Sequence, residues 1–139
     1  TLFRSVPSLL SLPYLGVIDA RDPLYLATRA AVLSDENPFY YEGSALAGVG
    51  SPHTPEGYVW PIAKSIEGLT TTEASEKLAI LELLLATTGG TGYMHEGVDC
   101  NDPEKFTREW FSWSNAMFCE LALDVAGIER PALIREPLL

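Results

Sequence analysis

The run from Ala74 to Thr87, ASEKLAILELLLAT, fits only one kind of secondary structure. Ala74, Leu78, Leu81 and Leu85 fall on one side of a helix, and Ile80, Leu83 and Leu84 widen the apolar stripe. In front of it, Thr70-Thr71-Thr72-Glu73 matches the S/T-x-x-E capping box. Behind it, Gly89-Gly90 stops the helix. So wide a stripe implies packing on two faces, and a helix covered front and back belongs to a layered assembly.

The other periodic segments point the same way. Asp22-Pro23 is an N-cap followed by proline, and it opens a helix ending near Ser34. Its expected stripe is Leu24, Ala27 and Ala31 with Leu26, Ala30 and Leu33. Trp60-Pro61 opens another, with Ile62, Ile66 and Leu69 on one face and Gly68 weakening the last turn. From Phe111 to Ala126, Trp113, Met117, Leu121 and Val125 recur four apart beside Phe118, and Gly127 follows the end. Ser5 to Leu12 reads as a short helix capped by Ser5 and ended by Pro13. Arg130 to Leu139 shows no long period. Strand alternation is absent throughout. The expected fold is all-α, one domain over residues 1–139.

Asn37 to Gly57 breaks the pattern. Gly43, Gly48, Gly50 and Gly57 alternate with Pro38, Pro52 and Pro55, and neither period survives. A long structureless stretch in a compact domain is usually functional, and Phe39, Tyr40, Tyr41 and His53 favour that reading.

Composition narrows the partners. At 47% hydrophobic and 10% aromatic, the chain has the material for a real core. A net charge of −10 argues against nucleic acid or an anionic membrane, both of which select a basic face. A neutral partner such as a glycan is compatible. No apolar run approaches the length of a membrane span, and the first residues lack the basic head of a signal peptide. Cys100 and Cys119 are too few and too far apart for a zinc site, and their spacing leaves a disulfide open.

Chemistry concentrates between Gly89 and Asn115. A Gly-rich turn leads into His95-Glu96 and an acidic loop, then Trp110, Phe111 and Trp113. Aromatic faces stack on the apolar side of a pyranose, and a carboxylate beside them does proton chemistry, so the composition fits sugar cleavage. His53, His95, Glu96 and Asp99 are the residue types of a metal set. HEGVD lacks the second His of H-E-x-x-H, and its glycine breaks the helix that motif needs. The reading is metal-free, with no cofactor.

Four stretches carry a resemblance: SVPSLLSLPYLG, NPFYYEGSALAGVGSPHTPEGYVWPIA, TTGGTGYMHEGVD and FTREWFSWSNAMFCELAL. Together, over about residues 6–126, they resemble glycoside hydrolase family 125, exo-acting α-mannosidases of α-1,6 linkages. The resemblance implies a partial (α/α)6 barrel corresponding to the C-terminal third of the family domain. It implies an inverting mechanism in which Glu96 is the general base that activates water. The family's general acid is an Asp that falls upstream of Thr1. Where the family has an acidic stretch before VPSLLSLPY, this chain has Leu2-Phe3-Arg4-Ser5.

Around Glu96, the candidates for binding a mannose-containing glycan are His53, His95, Trp60, Trp110 and Arg108. Imidazole both donates and accepts, which suits a vicinal diol. Trp113 is expected to be core, and Tyr40, Tyr41 and Glu42 are weaker candidates. The alternative expectation is a non-catalytic fragment, sugar-binding or inactive, that lacks the upstream acid.

Overall fold

In the computed structural model, residues 8–128 are described. They form a mixed α/β domain: four helices and two small antiparallel sheets. The all-α expectation is overturned, and with it the partial (α/α)6 barrel. A 3-10 turn at Leu9–Ser11 precedes α1 (Pro23–Val32). Next come β1 (Tyr40–Glu42), β2 (Ala47–Val49) and β3 (Tyr58–Val59), then α2 (Pro61–Thr70) and α3 (Ala74–Ala86). β4 (Gly97–Asp99), β5 (Phe106–Thr107) and α4 (Ser112–Val125) complete the order.

The strands escape a periodicity argument because they are two or three residues long. Backbone contact, enabled by glycine, defines them instead. β1 pairs β2 as a hairpin, Tyr40 opposite Val49. β3, β4 and β5 make the second sheet, Val59 opposite Val98 and Val98 opposite Phe106. A bridge from Gly50 to Val59 and a bond from Trp60 N–H to the Val49 carbonyl (3.0 Å) join the two sheets. A Cβ on Gly50 would stand 2.2 Å from the Tyr58 carbonyl oxygen, and one on Gly43 2.3 Å from that of Cys100. Neighbouring backbones approach too closely there for any side chain. The stretch expected to be structureless therefore holds a hairpin, β1 and β2, set among loops.

α2 is the centre of the domain. Every residue of it except Leu69 is buried. It packs against α3, α4 and the 3-10 turn, with Ile62 and Ile66 in a core shared with Leu10, Val49 and Met117. Gly68 has a packing purpose beyond its low helix propensity. A Cβ there would meet Leu121 Cδ1 at 2.9 Å and Ile80 Cγ2 at 3.2 Å, so its absence lets α2, α3 and α4 close together.

Asp22 Oδ1 accepts from Leu24 N–H at 2.8 Å, the cap expected for α1. The stripe assigned to α1 is wrong, however. Leu24 and Leu26 are exposed, and Tyr25 and Val32 are buried. On α3, Ile80 and Leu84 face the core and Leu78 and Leu85 face solvent. The capping box does not form as read. Thr71 Oγ1 accepts from Glu73 N–H at 3.2 Å and donates to Glu76, which also takes Arg29 at 2.9 Å. Ser8 caps the 3-10 turn through its Oγ; the cap expected at Ser5 and the tail from Arg130 lie outside the described residues. No helix among the described residues is long and apolar enough to cross a membrane.

Candidate active site

The β4–β5 hairpin sets the geometry around Glu96. Gly97 pairs with Thr107, so the residues just outside that pair, Glu96 and Arg108, end side by side. Glu96 N–H donates to the Thr107 carbonyl at 3.1 Å. Arg108 Nε donates to Glu96 Oε2 at 2.9 Å. The Glu96 side chain is 15% exposed and that of Arg108 65%. A carboxylate held through one oxygen near the surface is desolvated but still reachable.

Arg108 is also the one non-glycine residue with a left-handed backbone among those described, at φ 52°. Such a conformation costs on the order of 1–3 kcal/mol and persists only where surroundings enforce it. The enforcement is visible. His95 Nδ1 faces the Arg108 carbonyl at 3.2 Å. The Arg108 guanidinium lies 5.5 Å from the centre of the Phe111 ring, a cation–π distance.

His95 itself is fully buried. Its Nε2 faces the Thr88 carbonyl at 2.9 Å, and its ring lies flat on Phe106, centroids 3.7 Å apart and planes 4° off parallel. Each ring nitrogen faces a backbone carbonyl and a neutral imidazole donates to one of them, so this histidine braces the turn 88–96 against β5. Asn115, one turn into α4, holds the other side. Its Oδ1 accepts from Met94 N–H (3.2 Å), and its Nδ2 donates to the carbonyls of Met94 (3.1 Å) and Phe111 (2.8 Å).

The loop before α2 supplies the neighbouring wall. A Cβ on Gly97 would lie 2.9 Å from Thr54 Cγ2, so the Pro52–Pro55 segment rests directly on the backbone next to Glu96. His53 is exposed, and its ring stacks over Trp60 at 6.2 Å and 28°. Trp60 meets Trp113 edge-on at 6.4 Å and 72°. Trp60 is buried, a floor beneath His53 rather than an open face, and its indole N–H has no acceptor among the described residues. Trp113, expected in the core, is 45% exposed. Trp110 is 60% exposed.

The structure thus brings Glu96 and Arg108 together, sets the His53 loop beside them, and buries His95 behind them. Four residues with structural roles here were not singled out from sequence: Phe106, Asn115, Thr54 and Thr88. Asn115 left a faint signal, an amide side chain in the first turn of α4 beside its apolar stripe; the others left none. Among the described residues, no three His, Cys, Asp or Glu side chains gather into a group fit for a metal, so His53, His95, Glu96 and Asp99 do not form a ligand set. Cys100 and Cys119 are both free thiols. Burial, helped by the Asp99 charge, pushes the Cys100 thiol up, which makes it a poor nucleophile.

The model of the metal-independent α-mannosidases, glycoside hydrolase family 125, matches residues 4–123, and the chain belongs to that family. It is 45% identical over 133 residues to the meiotically up-regulated gene 157 protein of Schizosaccharomyces pombe, covering 95% of this chain and 26% of that protein. Among solved structures it resembles a metal-independent α-mannosidase of Streptococcus pneumoniae in a non-productive complex with α-1,6-mannobiose. The TM-score is 0.87 and the identity 53%, over 89% of this chain and 29% of the other. The chain therefore spans between a quarter and a third of the length of these relatives.

Proposed function

We propose that this chain supplies the water-activating half of an inverting α-mannosidase site, with Glu96 as general base. The observation that carries the reading is the setting of Glu96: nearly buried, held through Oε2 alone by Arg108, and next to the segment that presents His53. Family membership adds the substrate class, an α-linked mannoside, and the bound α-1,6-mannobiose of the Streptococcus pneumoniae relative favours that linkage here.

The step balances simply. A water oxygen bonds to the anomeric carbon of a terminal mannose while the bond from that carbon to the glycosidic oxygen breaks. Glu96 takes a proton from the water. A carboxylic acid on the opposite face gives one to the leaving oxygen, and the carboxyl groups of inverting enzymes stand about 6.5–9.5 Å apart to admit the water. In this reading the acid comes from outside the described residues. His53 and Trp110 contact the sugar, Trp60 supports His53 from below, and His95 holds the loop that carries Glu96.

The test is mannose release from α-1,6-mannobiose by this chain, and by the same sequence carried in a polypeptide as long as its relatives. Product stereochemistry is followed by NMR. In the longer context the expected product is β-mannose, and Glu96→Gln lowers the rate by about 10²–10⁴-fold. A Glu96→Gln protein with undiminished turnover would remove Glu96 from the mechanism. Calorimetric binding of mannobiose by this chain without turnover would mark it as the sugar-binding fragment.

A further inference from the structure

The strained backbone at Arg108 has a use that sugar binding does not explain. Three observations converge on it. Its φ of 52° is left-handed, unlike that of any other described non-glycine residue. Its carbonyl faces the Nδ1 of a fully buried histidine whose ring is clamped flat on Phe106. Its guanidinium uses Nε, the nitrogen nearest the backbone, to hold Glu96 Oε2. An arginine that only recruited ligand would reach out with its terminal nitrogens and need no fixed backbone. Here the backbone is fixed first, and the shortest arm of the guanidinium does the holding.

We infer that Arg108 is a positioning residue for Glu96, locked by His95 and Phe106, and not a sugar ligand. The relay runs from the Phe106 ring to the His95 ring, to the Arg108 carbonyl, and through the Arg108 side chain to Oε2. It rests on the reading of Glu96 as base. Among the described residues only Oε2 is engaged, which leaves Oε1 to take the proton from water. Orientation is what such a base requires, since a misplacement of about 1 Å can cost about 10²-fold in rate. The left-handed turn also carries the chain from β5 toward α4, so the lock sets the approach of the Trp110–Phe111 segment as well.

Steady-state kinetics on α-1,6-mannobiose tests this, using the polypeptide of full relative length in which turnover is measured. Arg108 is on the surface, so its variants fold; circular dichroism and a melting curve confirm it. A positioning residue predicts that Arg108→Gln lowers kcat on the order of 10²-fold with KM within about twofold. Arg108→Lys, which keeps the charge but loses the planar fork, recovers part of kcat at most. A raised KM with kcat preserved would make Arg108 a sugar ligand and overturn the inference, and so would an Arg108→Gln enzyme with unchanged kcat. Glu96→Gln is measured beside them. If it keeps full turnover, the base assignment has failed. If it is inactive while Arg108→Gln is normal, only the positioning role has failed.

Discussion

Lys64 Nζ donates to both carboxylate oxygens of Glu67, at 2.8 and 2.9 Å, one helical turn away inside the buried α2. Burial pushes the Glu67 carboxyl up, and the Lys64 ammonium opposes the shift. A buried pair of this kind is held together by the cost of separating it. Lys64→Met alone leaves Glu67 uncompensated and is expected to destabilise by about 3–5 kcal/mol in urea unfolding. The double replacement Lys64→Met with Glu67→Leu recovers most of that loss. A double variant as unstable as the single one would show that packing, not charge, is what Lys64 supplies.

Glu76 behaves in the opposite way. Burial raises its pKa, but the hydroxyl of Thr71 and the Arg29 guanidinium outweigh burial and hold it below 4.5. A native value below the unfolded one means that its contribution is present above pH 4.5 and is lost as pH falls through the depressed value. Thr71→Val weakens the shift, so its urea midpoint falls less steeply with acid than the parent's below that pH. Parallel midpoint curves for parent and variant would contradict the assignment.

Two helix starts are legible because a proline at the first helical position is local chemistry. Asp22-Pro23 and Trp60-Pro61 each mark a helix within a residue of where it begins. The sheets were not legible, because two-residue strands such as Tyr58–Val59 carry no alternation and their pairing partners lie far along the chain. The helix stripes misled for a related reason. Leu24, Leu26, Leu78 and Leu85 have the right spacing for a core face yet are exposed, and periodicity does not say which side of a broad stripe is covered. At the site, Glu96 and His95 are adjacent in sequence, but one is partly exposed and the other fully buried. Their division of labour depends on a hairpin register that places Arg108 beside one and its carbonyl beside the other.

Glycine at position 50 is a steric requirement. With the Tyr58 carbonyl 2.2 Å from where a Cβ would stand, Gly50→Ala must displace β3 from its bridge. The expected cost is about 1–3 kcal/mol by chemical denaturation. An alanine variant with parental stability would mean that the two sheets are joined more loosely than the Gly50–Val59 bridge implies.

His95→Ala removes a buried ring and the hydrogen bond that its N–H makes to one of the two carbonyls facing it, Thr88 and Arg108. A loss of about 2–4 kcal/mol is expected. Amide exchange by mass spectrometry should accelerate in the 106–111 segment before it does in α2. Uniform acceleration would place His95 in the global core instead of in a local brace.

The glycine at position 68 has a broader bearing. Because three helices meet where it has no side chain, α2 cannot rotate or slide without driving Leu121 and Ile80 into its backbone. The helix that starts at Trp60 is thereby anchored like a post, and the indole at its head gives His53 a footing that does not travel. Any rearrangement around His53 must then come from swinging surface side chains and not from a breathing scaffold.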